Sequence, residues 1–158
     1  MAKKVCFCSS SGGHFEQLLM LKPLMEKYDS SILTEKTEYQ NQSSNDKNHF
    51  SHVFLLPQVN RTEFLWFIKL LWTSAKSLYV YLKLRPQVVV CTGALSMIPF
   101  CLIAKICGTK LIYIESFAKI SSPTITGKVL YRFTDRFYVQ WESMLKYYPK
   151  AIYLGALY

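Results

Sequence analysis

The chain has 158 residues, 51% of them apolar and 15% aromatic, with 19 Lys/Arg against 10 Asp/Glu for a formal charge of +9. That length predicts one domain with a real core, and that composition excludes a disordered chain or a fibre. Residues 1–63 carry seven basic and seven acidic residues, so the whole excess lies beyond them, where twelve Lys/Arg stand against Glu115, Asp135 and Glu142; the partner implied is anionic, whether nucleic acid, membrane surface or phosphorylated ligand.

The apolar stretch after Met1-Ala2-Lys3-Lys4 is too short for a signal peptide, and no run reaches the ~18 residues of a membrane span. Val5 to Cys8 predicts a buried strand. The polar loop Ser9-Ser10-Ser11-Gly12-Gly13-His14 follows, and then a helix over 15–28 with Leu18, Leu19, Leu21, Leu24 and Met25 inward. A short strand is expected over 31–33, and the polar stretch 35–49 as a long exposed loop. "HVFLL" (52–56) is a third strand, stopped by Pro57. A helix capped by Thr62 then runs over 62–84 until Arg85-Pro86 ends it.

The second half alternates in the same way. "QVVVC" (87–91), "KLIYIE" (110–115) and "RFYVQ" (136–140) are strands, and "AIYLG" (151–155) follows the last helix, with an ordinary edge strand as the alternative to a docking segment. "IPFCLIAKICG" (98–108, with Gly108 as C-cap), "GKVLYRFT" (127–134) and "SMLKYYP" (143–149) are helices. Uniformly apolar strands alternating with helices predict a parallel sheet covered on both faces, a doubly wound Rossmann-like α/β domain over 1–158.

Ligands of such sheets bind at the carboxyl ends of the strands, where three loops fall: Ser10–His14, Thr92-Gly93-Ala94 and Glu115-Ser116. Glycines at 12 and 13 free backbone amides at a helix start, the chemistry of a phosphate or diphosphate seat; a plain strand-to-helix turn with capping serines remains the competing reading. A Gly-x-Gly-x-x-Gly dinucleotide fingerprint is not matched, although Glu35 falls near the expected ribose-binding place, and the Gly-Lys-Ser/Thr of a P-loop is missing. His14 is a candidate base or a partner for a phosphate or sugar hydroxyl. Glu115, the sole carboxylate between Glu63 and Asp135, is a candidate catalytic acid, with capping of its own loop as the alternative. His49 and His52 are given no role.

The five cysteines, Cys6, Cys8, Cys91, Cys101 and Cys107, lack a Cys-x-x-Cys pair and, lying in apolar runs, read as buried, reduced thiols of a cytosolic protein. Packing rather than a metal site is expected for Cys6 and Cys8, and neither metal nor cofactor is expected.

A helix over 62–84 would be ~35 Å long. Lys69, Lys76 and Lys83 recur every seven residues along it beside Trp66 and Trp72, the make-up of a helix lying in a membrane interface; a core helix with a solvated Lys edge is the alternative. No nucleic-acid module is recognised.

"SSSGGHFEQLLML", "TGALSMIPF", "LIYIESFAKISSPTITGKVLYRFTDRFYVQW" and "YPKAIYLG" together resemble the acceptor-side subunit of the split UDP-GlcNAc transferase of asparagine-linked glycosylation. They resemble more closely its bacterial counterpart in capsule and exopolysaccharide clusters, the enhancer subunit of a beta-1,4-galactosyltransferase. The resemblance implies the N-terminal half of a GT-B fold and a non-donor-binding subunit, inactive alone. Such a subunit joins a separate donor-binding glycosyltransferase subunit at the cytoplasmic face of the membrane. The assembled enzyme would move galactose from a UDP-sugar to a polyprenyl-diphosphate-linked acceptor. Under this resemblance Ser10, Ser11, Gly12, Gly13, Thr92, Gly93, Ala94 and Ser116 would bind the acceptor diphosphate, and His14 and Glu115 would serve catalysis. Ile152, Tyr153, Leu154, Leu157 and Tyr158 would dock the partner subunit.

Overall fold

An unbroken apolar run after Lys4 makes the central strand, because only a strand with neighbours on both sides and helices on both faces hides Val5, Cys6, Phe7 and Cys8 together. In the computed structural model, which describes residues 2–36, 52–59 and 66–157, this strand is β1 (Lys4–Ser9). It lies between β2 (Asp29–Glu35) and β4 (Val88–Cys91). Beyond β2 comes β3 (His52–Leu56). Beyond β4 come β5 (Lys110–Ile114), β6 (Arg136–Val139) and the two-residue β7 (Ile152–Tyr153). Among the described residues the sheet is seven-stranded, ordered β3-β2-β1-β4-β5-β6-β7, with every pairing parallel. The chain reverses its direction of winding between β1 and β4, and that switch point opens a crevice above the carboxyl ends of these strands.

α1 (Gly13–Leu19) and α2 (Lys22–Met25) cover one face, where Leu18 and Met25 meet Val5, Phe7, Val90 and Ile114. One helix over 15–28 is expected from the pattern, but two form. Pro23 has no N–H to give and fits only a first turn, so the helix stops and restarts around it. The other face packs under α3 (Trp66–Leu84), α4 (Ile98–Ile106) and α5 (Ile125–Leu130), in a core that includes Val80, Met97, Phe100, Leu111, Tyr113, Phe137 and Tyr148. Each such buried side chain contributes roughly 1.5–3 kcal/mol. α4 ends as expected at Gly108, whose φ of +83° lets its N–H and that of Thr109 reach back to the carbonyls of Lys105 and Ala104.

Several boundaries differ from the sequence pattern. β2 is longer than 31–33 because Asp29 and Ser30 already pair with Lys4 and Val5. α5 begins before Gly127, since Thr124 caps it by accepting the Gly127 N–H at 2.8 Å. A 3₁₀ turn over Glu142–Lys146 replaces the last helix. Glu35, expected in an exposed polar loop, is instead the buried last residue of β2. The rest of that loop over 37–49, and Thr62 with residues 62–65 of the expected helix, lie outside the described residues.

The four thiols of Cys6, Cys8, Cys91 and Cys101 are wholly buried as expected, with Cys6 and Cys8 Sγ 3.7 Å apart; Cys107, also expected to be buried, is exposed because it stands at the C-terminal cap of α4, past the helix's packed face. Burial, then the neighbouring Cys6 thiol, pushes Cys8 well up, and the bond to Cys91 together with burial does the same to Cys101. Cys8 and Cys101 are therefore protonated packing groups, not nucleophiles.

Candidate functional site

At the end of β1 the chain must turn at once into α1. Gly12, at φ +73° and ψ −143°, makes that turn in a conformation closed to residues with a Cβ. Its carbonyl receives the N–H groups of Phe15 and Glu16, while those of Gly13 and His14 have no partner among the described residues. No side chain caps this helix start. A Cβ built on Gly13 meets nothing within 4 Å, so there is open space beside its Cα.

His14 reaches across to the loop after β4. Its Nδ1 lies 3.0 Å from the Thr92 carbonyl, and Thr92 Oγ1 donates back to the His14 carbonyl at 3.0 Å. A carbonyl only accepts, so Nδ1 carries the proton and Nε2 keeps the lone pair. Gly93, at φ +127°, lies under the imidazole, where a Cβ would sit 3.0 Å from His14 Cε1. Ala94 follows at φ 109°, ψ 144°, a strained conformation for a residue with a side chain. Strain of that kind persists only where the surroundings impose it.

The third loop is tied to the same place through residues that periodicity does not single out. Gln17, buried on the inner side of α1, donates to the Glu115 carbonyl at 3.3 Å and accepts the Phe117 N–H at 3.1 Å. Gln140 donates to the same Glu115 carbonyl at 2.9 Å, and Trp141 Nε1 to the Phe117 carbonyl at 2.6 Å, with the two rings 5.0 Å apart. The visible signal is an amide on an otherwise apolar face, Gln17 beside Leu18 and Gln140 at the end of "RFYV".

Glu115 is 1% exposed. Its carboxylate accepts from the Ser116 N–H (2.9 Å), the Thr124 hydroxyl (2.8 Å), the Tyr148 hydroxyl (2.9 Å) and, at 3.5 Å, the Tyr113 hydroxyl. The Thr124 N–H also reaches it, at 3.3 Å. Burial, then the Glu115 charge, pushes both tyrosines well up, so they remain O–H donors. The acid expected to face a ligand therefore faces the start of α5, because that turn offers it a full set of donors. Ser116 is buried with its N–H turned to the same carboxylate, and Ser10 is nearly buried, while Ser11 is partly open.

The remaining expected residues fall in two places. On α3, Lys69, Lys76, Lys83 and Trp72 are exposed and Trp66 is half-buried, with Lys83 Nζ 5.5 Å above the Phe54 ring. At the β7 edge Ile152 is half-buried in its pairing with Tyr138, and Tyr153 and Leu154 are exposed. Leu157 folds back onto the α1 face, its N–H given to Gln140 Oε1 at 3.0 Å; Tyr158 lies outside the described residues. Concavities between Lys4, Asp29, His52 and Lys83 and between Arg132, Arg136 and Ile152 line the opposite, amino-terminal end of the strands.

Comparison with solved structures shows the fold. The chain superposes with a TM-score of 0.71 on Acinetobacter baumannii MurG at 19% identity, 89% of this chain covering 42% of that one. For a UDP-N-acetylglucosamine 2-epimerase from Rickettsia bellii the TM-score is 0.72 at 12% identity, covering 99% and 46%. The domain is thus the Rossmann-like half of a GT-B fold. Two curated relatives are named UDP-N-acetylglucosamine transferase subunit ALG14. The mouse protein is 28% identical over 79% of this chain and 61% of its own length, and the Yarrowia lipolytica protein 29% identical over 98% and 81%. Residues 6–157 match the family model described as oligosaccharide biosynthesis protein Alg14 like, and the chain belongs to that family.

Proposed function

We propose that the chain is the acceptor-binding subunit of a two-component glycosyltransferase, which moves a sugar from a UDP-sugar to a polyprenyl-diphosphate-linked acceptor and receives its donor-binding half from a separate protein. One observation carries this reading: the loops after β1 and β4 are clasped together by the paired His14–Thr92 bonds, with two helix-start amides beside them that have no partner among the described residues. Free N–H groups at the positive end of a helix favour an anion. The Nδ1–H tautomer makes Nε2 of His14 the nitrogen that takes a proton from an attacking hydroxyl. Glu115 acts as a brace for the third loop rather than as the catalytic acid, since every donor around it is already engaged.

A free-standing nucleotide-binding module is disfavoured by Glu35. In a dinucleotide site the acid near the end of the second strand reaches outward to a ribose, whereas here it is buried and held by Ser96 at 2.5 Å. The membrane surface is the place of work, reached through α3. On the donor sugar two supports diverge: resemblance to the capsule and exopolysaccharide subunits favours galactose, and the names of the curated relatives favour N-acetylglucosamine.

The test is co-expression with the candidate donor-binding subunit and a transfer assay on a polyprenyl-diphosphate-linked sugar, with UDP-GlcNAc and UDP-galactose offered separately. Transfer is expected only with both chains present. Gly13→Val should abolish it without unfolding the domain, and His14→Ala should lower turnover about 100-fold. Full activity of Gly13→Val would sink the seat, and transfer by the partner alone would reduce this chain to a scaffold.

A further inference from the structure

Glu35 closes β2 with its side chain 4% exposed, a costly place for a carboxylate unless donors converge on it. Three do, each from a different segment. Ser96, itself fully buried in the 3₁₀ turn after β4, donates its hydroxyl at 2.5 Å; the backbone N–H of Ser11 comes from the loop after β1, and that of Val59 from the segment after β3. Burial raises the Glu35 pKa above the usual carboxylate range, and the three bonds pull it back toward the charged form. The strand beside it places Leu56 at the same level, so an apolar residue would fill the space without this cost.

We propose that Glu35 is a positioning residue for the acceptor seat. Its carboxylate accepts the Ser96 hydroxyl and the Ser11 amide and so joins the loop after β1 to the turn after β4, two segments that the His14–Thr92 pair joins a second time. Held at both points, the amides of Gly13 and His14, unpartnered among the described residues, keep a fixed spacing from Thr92-Gly93-Ala94. The inference rests on the reading of these loops as a polyprenyl-diphosphate seat. A residue acting in this way changes how the acceptor binds and leaves donor affinity alone, which general loosening of the fold would not do.

The full chain is titrated with farnesyl diphosphate as a soluble probe, comparing the parent with Ser96→Ala, Glu35→Gln, the double variant and Gly13→Val. The assembled enzyme is then assayed for KM and kcat with both substrates. Ser96→Ala and Glu35→Gln should each weaken the probe about tenfold, as loss of a charge-assisted bond does, and raise the acceptor KM to match with the donor KM unchanged. The double variant should be no worse than Glu35→Gln, since the pair acts as one unit. Unchanged probe affinity in Ser96→Ala and Glu35→Gln, with binding lost in Gly13→Val, overturns the role of Glu35 alone. Unchanged affinity in all of them overturns the seat and this inference with it, and a donor KM that rises equally assigns Glu35 to general stability. Should Glu35→Gln fail to fold, the Ser96→Ala result decides.

Discussion

Gly127 has no room for a side chain. A Cβ there would lie 2.2 Å from Glu115 Oε2 and 2.6 Å from the Tyr148 hydroxyl, so the carboxylate occupies the space that any other residue would claim. Gly127→Ala should therefore push Glu115 off its donors and cost roughly 2–4 kcal/mol in a denaturant titration, and Tyr148→Phe, which removes one donor, about 1–2. Equal, small losses in both would mean the network relaxes freely. Glu115 is legible in the sequence as a lone acid where a strand ends, but its partners are not. Thr124, Gln140 and Tyr148 lie nine to thirty-three residues away and meet it only once β5, α5 and the 3₁₀ turn are folded together. The same holds for Glu35, which local polarity places in solvent and Ser96, sixty-one residues on, holds in the core.

α3 is built the unusual way round. Thr73 and Ser77 face inward with Val80, Tyr81 and Leu84, whereas Phe67, Ile68, Leu71, Trp72, Leu78, Tyr79 and Leu82 are exposed, Trp72 by 67%. Small polar residues inside let the helix lie close to its neighbours. Thr73 returns its hydroxyl to the Lys69 carbonyl at 2.8 Å, and Ser77 Oγ is buried without a partner among the described residues. The outer face joins a broad apolar strip to the stripe of Lys69, Lys76 and Lys83, the arrangement that suits an interface of acyl chains below anionic headgroups. The heptad spacing of the lysines is visible in sequence. Which apolar residues lie outside is not, because apolar residues surround most of this helix and only packing against the sheet and α4 selects the inner ones. No helix among the described residues is long and apolar enough to cross a membrane. Replacing the three lysines by Glu should release the protein from vesicles rich in anionic lipid, at about 1 kcal/mol per charge removed and more on reversal. Leu71→Ser with Trp72→Ser should weaken binding to neutral vesicles as well, without lowering Tm. Vesicle sedimentation measures both, and unchanged binding would give this face to a protein partner.

At the scale of the whole molecule, the sheet order decides where a second half can stand. The strand alternation and parallel topology are legible from uniformly apolar segments spaced by helices, but the edge that remains unpaired is not, because it depends on how far the sheet extends. Among the described residues its last strand is β7, two residues long, with Tyr153, paired with Val139 at the carboxyl end of β6, 41% exposed and Leu154 81%. Short edge strands blunt non-specific pairing, so large apolar side chains left open beside one mark a surface meant to be covered. The crevice above β1, β4 and β5 lies at the same end of the sheet, and under the proposed function a donor-binding half would face it, since neither half alone would bring both reactants into attack geometry. Leu157, by contrast, is already spent on the α1 face and on Gln140, so among the described residues of the docking surface proposed over 152–158 the large apolar side chains left open are Tyr153 and Leu154. Tyr153→Asp with Leu154→Asp should abolish co-purification with the donor-binding subunit and with it transfer, while vesicle binding and Tm stay as in the parent, because neither side chain is buried. A variant that still assembles into a fully active complex would move the docking surface away from this edge.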